Sequence, residues 1–296
     1  MSQFLNDMAQ FCRDIGANIY FIGAVENGGY EAERIAVYET NNCSDVYSCA
    51  KAFTVTAVGL LVDRGLISVD EKVCDILGDL CPAGMDARWR ETTVDMVLRH
   101  HTGLSKNFLD IDSRDPLTFG DDYLKHMLEA PLVCNPAAEA IYTDAAFYLL
   151  SRLVELRAGR NMDDLLRAVR NMYDLLREHL YNPLSFREAA FSRCPQGHAM
   201  GATGLYIRAD DMAKLGALYM HGGEWKGKQI LSPAWVETVL SRGYELKPKG
   251  EFGAFGKGGM YGQMLMAVPG KGRAVAWEGF NRSSVANELV KFAIEY

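Results

Sequence analysis

Strand-like and helical patterns are unevenly distributed along these 296 residues, and that distribution restricts the fold more than any other feature. Asn18 to Val25 is rich in β-branched and aromatic residues, Asn27-Gly28-Gly29 supplies a turn, and Arg34 to Glu39 alternates, which predicts a hairpin. Near the other end, Met264 to Val268 and Arg273 to Trp277 are strand-like runs flanking the turn Pro269-Gly270-Lys271-Gly272. Between these pairs helical spacing dominates to about residue 220. Tyr47 to Leu66 carries Phe53, Ala57, Leu60 and Leu61 on one stripe, with Gly65 as terminator. Thr93 to His100, Asp121 to Glu129, Asp144 to Arg157 and Asp210 to His221 follow, separated by loops that hold Pro82, Pro116, Pro131, Pro136 and Pro183. A further helix runs from Pro233 to Gly243, and amphipathic segments occupy both ends, Phe4 to Ile15 and Ser284 to Tyr296. The pattern predicts an α/β (α+β) fold: one antiparallel sheet built from both chain termini, flanked by helices, with an all-helical region inserted in the middle. We expect a single domain over 1–296, with 1–66 and 225–296 as its sheet-containing part and 67–224 as its mainly helical part.

Apolar residues at 49% and charged residues at 23% match ordinary globular usage, which excludes a disordered chain, a collagen-like repeat or a coiled coil. The 31 Lys and Arg against 38 Asp and Glu give a charge of −7, which argues against nucleic-acid or anionic-membrane partners. No apolar run of about 18 residues is present, and MSQFLNDMAQFC lacks the basic start and long apolar stretch of a signal peptide, so a cytoplasmic location is expected. The seven cysteines are odd in number and form no Cys-x-x-Cys pair, which points to reduced, structural thiols.

Several motifs carry no chemistry. Asn161-Met162-Asp163-Asp164-Leu165-Leu166-Arg167 recurs as Asn171-Met172-Tyr173-Asp174-Leu175-Leu176-Arg177. Ten added residues lengthen a helix by roughly 15 Å, with Met162, Leu166, Val169, Tyr173, Leu176 and Leu180 still sharing one broad face. Gly222 to Lys228 has phosphate-loop spacing, but Gln229 stands where a Mg²⁺-binding Ser or Thr is needed, and His221-Gly222-Gly223 reads as a helix C-cap. His100-His101 has no His-Glu-x-x-His context for a metal, and no Gly-x-Ser-x-Gly elbow exists.

Tyr47-Ser48-Cys49-Ala50-Lys51-Ala52-Phe53-Thr54 is different, because it places Ser48 and Lys51 one turn apart at the start of an apolar helix. The backbone N–H groups of that first turn would favour an oxyanion at Ser48. A desolvated Lys51 could lose its proton well below the ordinary lysine value of about 10.4 and act as, or support, a general base.

Further landmarks follow in a fixed order: His101-Thr102-Gly103-Leu104, Tyr142-Thr143-Asp144 leading into a helix, Asn182-Pro183-Leu184, Met200-Gly201-Ala202-Thr203-Gly204-Leu205 running to Arg208-Ala209-Asp210-Asp211, and Lys257-Gly258-Gly259-Met260-Tyr261-Gly262-Gln263. With Ser-x-x-Lys, they resemble the motif series of the serine β-lactamase and penicillin-binding protein superfamily, in particular its class C β-lactamase, D,D-peptidase and esterase branch. The resemblance spans roughly residues 20 to 280. It implies a β-lactamase/transpeptidase-like fold and an acyl-serine mechanism.

In that scheme Ser48 is the nucleophile, Lys51 and Tyr142 accept its proton and later protonate the leaving group, and the N–H groups of Ser48 and Met260 form the oxyanion hole. Asp144, Lys257, Gly258, Gly259 and Tyr261 are the expected substrate-binding residues. Two departures matter. Gly258 replaces the Thr of Lys-Thr-Gly, and Asp144 replaces the Asn of Tyr-x-Asn, where a carboxylate repels anionic substrate unless a cation such as Lys51 or Lys257 neutralises it. They favour an esterase or amidase on small acyl compounds over a true β-lactamase or D,D-peptidase; a non-catalytic binding or sensor protein is the third reading. Trp277-Glu278-Gly279 is an alternative third motif. No metal or organic cofactor is implied, the expected partner is a small-molecule acyl substrate, and the sequence leaves the oligomeric state open.

Overall fold

The computed structural model describes residues 1–159 and 171–296. In chain order its helices are α1 (Gln3–Asp14), α2 (Ala50–Val62), α3 (Val73–Leu77), α4 (Val94–Leu98), α5 (Tyr123–Leu128), α6 (Asp144–Ala158), α7 (Met172–Leu176), α8 (Ala209–Met220), α9 (Pro233–Arg242) and α10 (Ser283–Glu295). Its strands are β1 (Ile19–Val25), β2 (Ala32–Ala36), β3 (Ser44–Asp45), β4 (Ala189–Phe191), β5 (Leu205–Ile207), β6 (Glu224–Trp225), β7 (Lys228–Gln229), β8 (Lys247–Pro248), β9 (Phe255–Gly258), β10 (Met264–Val268) and β11 (Arg273–Gly279). They form two compact units: Met1–Ala52 with His179–Ala190 and Gly204–Tyr296, and Phe53–Glu178 with Phe191–Thr203.

The first unit is built on a six-stranded antiparallel sheet in the order β2-β1-β11-β10-β9-β8. Strands from the two ends of the chain meet at its centre, where Ile22 pairs with Trp277 and Val25 with Ala274. On one face α1 and α10 bury Phe4, Leu5, Met8, Leu289 and Ala293 against Ile19, Ile22, Met264, Met266, Val275 and Trp277. On the other face α8 lies across β1, β11 and β10. Asp210 to His221, read in sequence with the helical stretch, thus packs on the sheet. Gly23 permits that approach, because a Cβ there would stand 2.4 Å from the Ala209 carbonyl carbon and the Asp210 nitrogen.

The second unit is mainly helical. α3, α4 and α7 pack on α6, whose residues 144–154 are all buried. The segment after β4 is fastened to this core by Thr54 Oγ1 donating to the Gly201 carbonyl (2.7 Å) and Ser151 Oγ to the Ala199 carbonyl (2.6 Å). α2 is not the one-striped helix expected from sequence: residues 50–61 are buried all round, and Gly65 ends the turn beyond it at φ +68°.

Short strands escaped the sequence reading. β9 was hidden because Phe255-Gly256-Lys257-Gly258 has no alternation, and β3 to β8 are two or three residues long. The first copy of the duplicated heptapeptide, and with it Met162, Leu166 and Val169 of the expected face, lies outside the described residues; the second copy forms α7, capped by Asn171 Oδ1 on the Asp174 N–H at 3.1 Å. Among the described residues no helix is long and apolar enough to cross a membrane.

Gly23→Ala puts a methyl group against immobile helix backbone. It should lower unfolding free energy by about 2 kcal/mol or more in chemical denaturation, whereas Gly16→Ala, with nothing within 4 Å of the added carbon, should cost less and only through its positive φ of +66°.

Candidate active site

The turn that carries Ser48 combines local strain with its relief. Asp45 Oδ1 accepts the Tyr47 N–H at 2.8 Å, and the Val46 carbonyl accepts the Cys49 N–H at 3.1 Å. Between them Tyr47 adopts φ +47°, a left-handed conformation that a bulky side chain rarely takes. The turn leaves Ser48 two residues ahead of the α-helical start at Ala50, inside a short 3₁₀ turn, Tyr47–Cys49. Lys51 is fully buried, and its Nζ donates to Ser48 Oγ at 3.0 Å. That separation is within the range over which a hydroxyl and an amine can exchange a proton.

The segment 257–261 lies in the same unit. Cys49 Sγ is 3.1 Å from the Lys257 carbonyl oxygen, so the residue after Ser48 touches the end of β9. Burial pushes the Cys49 thiol up to about 12, which leaves it a weak donor rather than a competing nucleophile. Gly259 is required by close packing: a Cβ would stand 2.7 Å from the Val46 carbonyl oxygen and 2.5 Å from Gln263 Oε1. β9 ends at Gly258, so Met260 stands in the turn between β9 and β10 and not on a strand edge. Gln263 braces that turn: its carbonyl accepts the Gly259 N–H (2.9 Å), its Oε1 the Tyr261 N–H (3.1 Å), and its Nε2 donates to the Gly279 carbonyl (2.7 Å). Trp277 Nε1 adds a bond to the Gly262 carbonyl at 2.8 Å. Met260, Tyr261, Phe280, Asn281 and Arg282 line a cleft of about 480 Å³, with the Tyr261 ring stacked on Phe280 at 4.0 Å and met edge-on by Tyr47 at 5.1 Å.

Tyr142 and Asp144 belong to the second unit. The Tyr142 ring lies 4.5 Å from the His100 ring, and the Tyr142 carbonyl accepts the Asn107 N–H at 3.4 Å. Thr143 caps α6 and ties itself to the Phe108 carbonyl at 2.7 Å, which fixes the backbone directly after Tyr142 as the chain enters the helix. Asp144, the first residue of α6, stands with Asp110 and Asp112, their oxygens within 4.8 Å of one another. Three carboxylates could hold a hard cation, yet two already have donors: Asp110 accepts from the N–H groups of Asp112 and Ser113, and Asp112 accepts from Thr203 Oγ1 at 2.6 Å.

A family model for beta-lactamase matches residues 24–278. The chain belongs to the beta-lactamase family. Penicillin-binding protein 4 of Amycolatopsis lactamdurans is 29% identical over 146 residues, 48% of this chain, and the match spans about a third (34%) of that relative's length. Among solved structures, a protein from Bacillus anthracis described as a 6-aminohexanoate-dimer hydrolase superposes with a TM-score of 0.78 at 17% identity, covering 97% of this chain and 80% of its own. EstCE1, a hydrolase with promiscuous acyltransferase activity, superposes at 0.72 with 14% identity and 99% of both chains. These likenesses establish the β-lactamase/transpeptidase-like fold.

Sequence reading missed the residues that hold the site. Asp45 falls in no pattern, whereas Gln263 and His100 stand inside recognised stretches whose spacing gives no sign of the contacts they make. Glu278 is another. It stands in the alternative third motif Trp277-Glu278-Gly279, but its carboxyl is sealed inside the first unit with no aligned hydrogen bond to either oxygen among the described residues. Burial pushes it up to about 9, against the pull of Arg34, the Ser44 hydroxyl and Arg208, with Asp210 adding to the rise.

The native state therefore keeps the Glu278 proton through neutrality, whereas the unfolded chain releases it near pH 4.5. More protons bound in the native state mean that stability falls as pH rises from about 4.5 towards 9, by up to about 1.4 kcal/mol per unit. Glu278→Gln removes this slope. Thermal unfolding at pH 5 and pH 8 should show the variant gaining over the parent at the higher pH; equal differences at both would contradict a neutral buried acid.

Proposed function

We propose that the protein hydrolyses small esters or amides through an acyl-Ser48 intermediate. The observation that carries this reading is the 3.0 Å contact between Ser48 Oγ and the buried Lys51 Nζ, on a strained turn whose next residue touches the end of β9. Ser48 attacks the substrate carbonyl as Lys51 takes up its proton, and negative charge develops on the carbonyl oxygen. The N–H groups of Ser48 and Met260 are assigned to that oxygen, where preorganised donors act without reorganising. Collapse expels the alcohol or amine with the returned proton, and water then repeats the sequence on the acyl-enzyme. Tyr142 joins the proton relay on the strength of its place in the motif order alone. Asp144, Gly258, Gly259 and Tyr261 contact substrate, and the cleft lined by Met260, Tyr261 and Phe280 takes its apolar part.

Esters and amides are favoured over β-lactams because Gly258 offers no hydroxyl and Asp144 brings a carboxylate where an amide donor would suit an anion. The names of the relatives span these classes: one is a penicillin-binding protein, one is described as a 6-aminohexanoate-dimer hydrolase, and one is a hydrolase with promiscuous acyltransferase activity.

Intact-protein mass and turnover, measured with 4-nitrophenyl butyrate and separately with a fluorescent penicillin, test the reading. The parent should turn over the ester, and Ser48→Ala should lose at least about a thousandfold in kcat and form no adduct with either compound. Undiminished turnover in Ser48→Ala would remove the acyl-serine mechanism; faster turnover of the penicillin than of the ester would replace esterase or amidase by β-lactamase.

A further inference from the structure

The lysine of the third motif is already engaged. Lys257 Nζ forms an ion pair with the Glu245 carboxylate, and the two side chains are only 13% and 1% exposed. Glu245 follows the glycine that ends α9 and adopts φ +63°, a left-handed conformation that costs a non-glycine residue about 1 kcal/mol or more. Tyr244 and Leu246 on either side are buried, and the Glu245 N–H is tied to the Gly243 carbonyl at 2.7 Å. A carboxylate carried inward on strained backbone is costly unless a cation meets it. A second ammonium crowds the pair: burial first, then the charge of Lys257, hold Lys249 below the usual lysine range.

The location of this pair is what matters. Lys257 stands opposite Leu265 in the β9–β10 register. Met264 and Met266 point into the core under α1 and α10, whereas Leu265 meets α8, where a Cβ on Gly216 would lie 3.2 Å from its Cδ1. Lys257 therefore projects from the α8 face of the sheet, and its carbonyl oxygen touches Cys49, next to the nucleophile. A cation in that position would attract substrate carboxylates. Arg282, at the rim of the cleft, is exposed, and water and salt screen its charge.

We propose that Glu245 sets substrate charge: by neutralising Lys257 beside the nucleophile turn, it withholds the cation that a carboxylate-bearing substrate would use, so the site takes uncharged esters or amides. The proposal rests on the acyl-Ser48 reading and narrows it. The test compares kcat/KM for two esters with one leaving group, 4-nitrophenyl butyrate and 4-nitrophenyl hemisuccinate, in the parent, Glu245→Gln and Glu245→Gly. Glycine adopts the left-handed conformation without strain, so the second variant removes the carboxylate without disturbing the turn. The parent should prefer the butyrate. In both variants the hemisuccinate-to-butyrate ratio should rise about fivefold or more, and the gain should shrink in high salt. An unchanged ratio with Ser48-dependent turnover retained, parallel loss of both activities, or a parent that already prefers the hemisuccinate overturns the proposal alone. No Ser48-dependent turnover of either ester by the parent overturns the acyl-serine reading, and this proposal with it.

Discussion

The pairing of Ile19–Val25 with Arg273–Gly279 is the constraint on which the first unit depends. It joins the two ends of the chain at the centre of the sheet, where β2 pairs with β1 and β10 with β11, and β9 and β8 extend the sheet beyond β10. Closing so long a loop is entropically costly, although the cost grows only slowly with length. The return comes from apolar burial on both faces, under α1 and α10 on one side and α8 on the other. Gly23 is one point where this arrangement tolerates no side chain, because helix backbone occupies the space it would need.

On that frame the chain buries an unusual set of polar groups. Lys51, Glu245, Asp211 and Glu278 are all nearly or fully inaccessible. Asp211 is well satisfied, with the Arg187 N–H at 2.7 Å and Lys214 Nζ at 2.8 Å, and it secures the loop before β4. Glu278 is poorly satisfied and stays neutral. Removing the partner of a buried charge costs more than the pair contributes, and Lys51 is held next to the strained turn at Tyr47 through its bond to Ser48 Oγ.

The polar groups also divide by purpose. Gln263, Trp277 and Gly259 fix the turn that carries Met260, through bonds that join adjacent strands of one sheet. Glu245 instead meets a charge, and it reaches Lys257 from the loop between α9 and β8, the strand that pairs with β9. A substitution in the first group should therefore blur geometry, whereas one in the second should alter which substrates the geometry accepts.

Much of this was legible in the linear chain. Alternation at both ends and 3.6-residue spacing between them determined the sheet from both termini and most of the long helices, because periodicity reports which face of an element is buried. Spacing likewise determined that Ser48 and Lys51 share a helical face, since one turn separates them. Tertiary structure alone decided the rest: β9 within a glycine-rich run, the all-round burial of α2, Glu245 on Lys257, and Gln263 as the brace of the Met260 turn. Each of these depends on what a distant segment brings alongside, and a buried charge or a braced amide has no period for a sequence to carry.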